Sequence, residues 1–102
     1  MSTESLARAV RDAVAGVPGV ARLTGGGPVK IAARFPGGQV DGLRLATDVV
    51  EVRIVVDRLP VHPIADRAAD AATAALRRAG DDRPVQVLVA DLEADELPEA
   101  KR

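Results

Sequence analysis

The sequence predicts an α+β fold, a two-layer sandwich in the order α-β-β-β-α-β with both helices on one face of a small mixed sheet. Three observations predict it. Residues 3–16 and 63–79 repeat apolar side chains at helical spacing, whereas 29–35, 39–46, 48–58 and 84–92 alternate with a period near two. The chain has 102 residues, of which 47% are hydrophobic and 28% charged, a globular profile of single-domain size. Phe35 is the sole aromatic residue, so the shared core has to be built from Val, Leu, Ile and Ala.

In the first helix Leu6, Val10, Ala13, Val14 and Val17 form the apolar stripe, while Glu4, Arg8 and Asp12 are spaced i,i+4 on the other side. Ser2 or Thr3 can cap its start, and Gly16 with Pro18-Gly19 ends it. Val20 to Leu23 reads as a short extended piece and Gly25-Gly26-Gly27-Pro28 as a flexible connector. Residues 29–35 and 39–46 read as a hairpin around Pro36-Gly37-Gly38, with Leu43 and Leu45 on one face of the return strand. The clearest strand is 48–58, where Val50, Val52, Ile54 and Val56 face one way. In the second helix Pro63 suits the first turn, and Ile64, Ala68, Ala71, Ala72, Ala75, Leu76 and Ala79 make a narrow stripe that lets the helix approach a sheet. Asp66 and Asp70 lie early, Arg77 and Arg78 late, and Gly80 stops it. Val85, Val87 and Val89 share one face of the last strand. One domain is expected over residues 1–93, with 94–102 an acidic tail expected to be mostly disordered.

Composition narrows the function classes. Cysteine is absent, which removes disulfides, thiolate metal sites and cysteine catalysis, and a single histidine removes multi-histidine metal sites. Fourteen basic residues against fifteen acidic ones give a formal net charge of −1, and Trp and Tyr are absent. Nucleic-acid binding is therefore not expected, because it uses clustered cationic excess and aromatic platforms. The N-terminal residues read as an amphipathic helix rather than a secretory signal, and no apolar run spans a bilayer, so a cytoplasmic location without direct membrane insertion is expected.

Each candidate for chemistry has a plainer reading beside it. Gly25-Gly26-Gly27 lacks the Gly-Lys-Ser/Thr and the following helix of a phosphate loop, and reads better as a link. His62, Asp66 and Asp70 recur at i, i+4 and i+8, yet a metal site needs more ligands and supporting groups, so solvated side chains suffice. Thr73 and the serines have no base and carboxylate at a telling spacing. No catalytic, metal-binding or cofactor-binding residues are assigned, and no cofactor is expected. If the helices cover one face of the sheet, Val49, Glu51, Arg53, Val55 and Asp57 occupy the other. That mixed apolar and charged row is ordinarily a solvated surface, and it is also the candidate partner-binding and self-association surface.

Three stretches carry a family resemblance. The first helix runs into Val17-Pro18-Gly19-Val20-Ala21-Arg22-Leu23, a V-x-G-V-x-x-L segment. Asp48-Val49-Val50-Glu51-Val52-Arg53-Ile54-Val55-Val56 is an alternating central strand. Pro63-Ile64-Ala65-Asp66-Arg67-Ala68-Ala69 leads to the closing Val85-Gln86-Val87-Leu88-Val89-Ala90-Asp91-Leu92. In this order, over residues 6–92, they resemble the alkaline-shock protein family of Gram-positive bacteria, proteins of the cell-envelope stress response. The chain departs from that family's pattern in having Leu59-Pro60 where Tyr-Gly often precedes the second helix, and in its hairpin, as a divergent actinobacterial-type member would. The resemblance implies a non-enzymatic structural and interaction protein. Such a protein forms homo-oligomers and is recruited to the inner face of the cell membrane by a small integral-membrane anchor protein. The alternatives are a small assembly factor resembling the SufT-like iron–sulfur assembly family, whose Asp-Pro-Glu segment and cysteine are missing here, and a regulatory RNA-binding αβ domain.

Overall fold

The computed structural model describes residues 2–27 and 29–93; the tail read over 94–102 lies outside the described residues. Helix α1 (Thr3–Ala15) starts where the sequence supplies a cap, with the Ser5 N–H donating to Ser2 Oγ at 3.1 Å. Arg8 Nε and Glu4 Oε2 pair across one turn at 3.1 Å. Ala7, Val10 and Val14 are buried on the opposite stripe, with Leu6 and Ala13 packed at its margin.

The extended piece after α1 is a true strand, β1 (Val20–Leu23), antiparallel to β5 (Val50–Val56). Strands β2 (Ala32–Phe35) and β3 (Gly38–Asp41) form the expected hairpin, but as a separate two-stranded sheet. Pro36 and Gly37 make its turn, and Gly37 takes the φ of 94° that a turn of this kind asks of its third residue. Ala33 and Val40 on the inner side of the hairpin join the core. Phe35 packs at the core margin, and the Arg8 guanidinium stacks over its ring at 5.4 Å, fastening the hairpin to α1.

The predicted return strand 39–46 is two strands, β3 and β4 (Leu43–Leu45), because the chain changes sheets at Gly42. Gly42 has φ 83°, and a Cβ there would lie 2.6 Å from the Thr24 nitrogen and 2.9 Å from its oxygen. Only a residue without a side chain lets these two backbones approach so closely at that dihedral angle. The order is thus α1-β1-β2-β3-β4-β5-α2-β6, two strands more than the outline read from the sequence, with its class and layering intact.

Strand β5 is the axis of the main sheet. On one edge, β1 pairs with Ile54–Val56 and β4 with Val50–Val52, so the two short strands lie end to end with Arg53 at their seam. The Thr24 N–H donates to the Arg53 carbonyl at 3.0 Å and the Arg53 N–H to the Gly42 carbonyl at 2.8 Å, carrying the ladder across the gap. On the other edge, β6 (Val85–Leu92) runs parallel to β5 along its whole length. The connection is α2 (Val61–Arg78), which a parallel pair requires. It begins two residues before Pro63, which still falls within the first turn, where a missing N–H leaves no helical bond unmade.

Both helices cover one face. Val50, Val52, Ile54 and Val56 meet Ala7, Val10 and Val14 of α1, together with Ile64, Ala68, Ala72, Ala75 and Leu76 of α2. The alanine stripe of α2 explains how a core with one aromatic residue closes: small side chains shorten the distance from helix to sheet instead of filling it. Among the described residues no helix is long and apolar enough to cross a membrane.

Candidate functional site: the outward face of the sheet

The outward row of β5 is Glu51, Arg53 and Val55, opposite in phase to the buried valines and Ile54. Its neighbours follow from strand register. Arg44 of β4 and Gln86 of β6 flank Glu51, Leu88 flanks Arg53, and Arg22 with Asp91 flank Val55. Among the described residues no helix covers this face, but residues 24–27 and 29–31, between β1 and β2, fold back over part of it.

Arg53 holds that segment. Its side chain is only 12% exposed, and one guanidinium nitrogen donates to the Gly26 carbonyl at 3.1 Å and also to the Val29 carbonyl. The glycine-rich stretch is therefore a fastened loop rather than a loose connector. Thr24 Oγ1 accepts the Gly26 N–H at 3.1 Å, and the Ile31 N–H donates to the Gly25 carbonyl at 3.4 Å. Val55 is 2% exposed although it lies outside the main core, and Thr24, Gly26 and Gly27 border the small cavity that it lines.

The five residues singled out on this strand thus have distinct settings. Val49 is half-buried just before β5, and its carbonyl accepts the Ala46 N–H at 3.0 Å. Glu51 Oε1 accepts from Arg44 Nε at 3.0 Å, while Oε2 stands 3.7 Å from Arg53 Nε. Arg53 and Val55 are engaged with the loop. Asp57 pairs with Arg58 at 2.7 Å, and its N–H donates to the Gly19 carbonyl at 2.9 Å. Only Glu51 and its neighbours form a joint polar arrangement.

Between the loop, β2 and the outward side of β4 and β5 lies an open cleft of about 410 Å³. Its charged walls are Lys30, Arg34, Arg44, Arg53 and Glu51. Lys30 and Arg34 also border an adjoining cleft of about 370 Å³, which Asp41 lines as well. Sequence reasoning passed over Lys30, Arg34 and Arg44. Lys30 lies in the segment before β2, Arg34 on β2 and Arg44 on the main sheet, and the change of sheets at Gly42 sets the hairpin beside that sheet.

Two further ion pairs tie distant segments. Arg83 donates to both Asp81 carboxylate oxygens, at 2.6 and 3.0 Å, and to the Ala46 carbonyl at 2.7 Å, joining the α2–β6 loop to the β4–β5 turn. The hydrogen bonds from Arg83 hold the Asp81 carboxyl below its usual range. Arg22 and Glu93 pair through two oxygens at 2.5 and 2.6 Å, which lowers the Glu93 pKa in the same way. His62, Asp66 and Asp70 are exposed on α2, and the described residues contain no group of three or more side chains placed to hold a metal ion.

The far edge of the sheet is β6, whose outer side pairs with no strand among those described. Residues Val85 to Ala90 include no charge and no proline, and Leu88 is 49% exposed. No family model, no curated protein and no solved structure matches this chain.

Proposed function

We propose that this chain is a non-enzymatic structural and interaction protein of cell-envelope stress homeostasis, self-associating through the open edge of β6 and recruited to the membrane by an integral-membrane partner. The envelope role and the membrane partner rest on the resemblance to the alkaline-shock family. An α+β fold with both helices on one face accords with it.

The observation that carries self-association is the edge itself. Exposed strands in monomers are normally blunted by charge, proline or a covering segment, because their free N–H and C=O groups template further pairing. Six consecutive residues on β6 carry neither charge nor proline, and no strand among the described residues pairs with their outer side. Antiparallel pairing with a second copy about Leu88 sets Gln86 opposite Ala90 and Asp91 opposite Val85, so no like charges meet. The two exposed leucines meet at the centre.

Mass determination of the purified chain, in parallel with affinity recovery from native membranes, tests the reading. A mass above the monomer together with co-recovery of a small membrane protein is expected. A monomer at high concentration with no membrane partner would overturn it.

A further inference from the structure

We propose that the cleft beside the hairpin binds an anionic ligand through a phosphate monoester group. Four cationic side chains and one carboxylate form its charged walls, in a protein whose net charge is −1. Lys30 and Arg34 have no ion-pair partner among the described residues. Cations gathered around a concave wall focus a positive potential into it. A volume of about 410 Å³ suits a small molecule. A phosphate dianion has oxygens enough to accept from Lys30, Arg34 and Arg44 together, and guanidinium groups match its geometry.

Glu51 makes the exchange inexpensive. Arg44 is now bonded to Glu51 Oε1, while Arg53 Nε is a buried N–H without an acceptor, 3.7 Å from Glu51 Oε2. When a phosphate takes Arg44, the released carboxylate closes the short remaining distance to Arg53 Nε. A buried donor left unmatched in the free protein is satisfied on binding, which offsets the loss of the Arg44–Glu51 pair. Val29, 67% exposed on the rim, offers an apolar contact for the ester substituent.

The test is a titration of the isotopically labelled full chain followed by backbone amide shifts, with inorganic phosphate and glycerol 3-phosphate as soluble probes. Sedimentation with phosphatidylcholine vesicles, with and without phosphatidic acid, forms the second arm. Expected are salt-sensitive shifts confined to residues 29–34, 44 and 51–53. The exposed double variant Lys30→Gln, Arg34→Gln is expected to melt as the parent does and to lose affinity by about tenfold or more. Arg22→Gln, on the neighbouring cavity, is expected to bind as the parent does. Binding of the soluble probes identifies a free phosphorylated ligand, and binding of the phosphatidic acid vesicles alone identifies a lipid headgroup. The proposal is overturned if neither arm shows binding, or if the double variant binds as tightly as the parent. Neither result bears on the mass measurement for the β6 edge.

Discussion

Arg53 serves two parts of the fold, the glycine-rich loop with its side chain and the β1–β4 seam with its backbone. The alternation of 48–58 alone places it on the outward face, where an Arg53→Glu change would bear on assembly more than on stability. Its side chain instead bonds two carbonyls of the glycine-rich loop, and its backbone bridges β1 and β4. With those contacts in view, Arg53→Glu is expected to lower the melting temperature and to speed amide exchange across residues 24–31. An unchanged exchange pattern would show that the loop does not depend on it. Ile54, the next residue, is wholly buried among valines. Ile54→Asp places an unpaired carboxylate there and is expected to cost about 3 kcal/mol or more, read as loss of the folded baseline in denaturant titration. These two neighbours show what alternation conveys: which way a side chain points, but not what comes to cover it.

The break between β3 and β4 depends on Gly42. Gly42→Ala combines a positive φ with a Cβ 2.6 Å from a backbone nitrogen, and is expected to destabilise by about 2 kcal/mol or more. Because Gly42 aligns the hairpin with the sheet, shifts in an amide spectrum should concentrate in residues 24–45. Arg83, paired with Asp81, fastens the α2–β6 loop to the Ala46 carbonyl of the β4–β5 turn, and the pH dependence of that pair has a definite sign. Asp81 has a lowered folded pKa, so its contribution is present above the ordinary value near 3.8 and is lost as pH falls through the lowered value. Asp81→Asn is therefore expected to lower the melting temperature at neutral pH and to make the acid side of the melting curve shallower. An equal loss at every pH would assign the effect to packing instead.

In the proposed assembly the edge of β6 is the contact surface. Leu88→Lys puts a charge at the centre of the proposed pairing while leaving the core untouched, since Leu88 faces away from the helices. Its expected outcome is a shift toward monomer in sedimentation with a melting temperature within a few degrees of the parent. If the oligomer persists, association uses another surface.

By itself the sequence determined the class of fold, both helices, and the central strand with its inward row Val50, Val52, Ile54 and Val56. These follow from hydrophobic period, caps and turn residues, each of which acts within a few positions along the chain. Pro36-Gly37-Gly38 likewise announced a hairpin. Only the tertiary structure decided that the hairpin is a sheet of its own, that β1 and β4 share an edge, and that Lys30, Arg34, Arg44 and Arg53 surround one cleft. Those outcomes depend on Thr24 meeting Gly42 and on Arg53 reaching Gly26 and Val29. Contacts between residues so far apart in the chain leave no local periodicity to read.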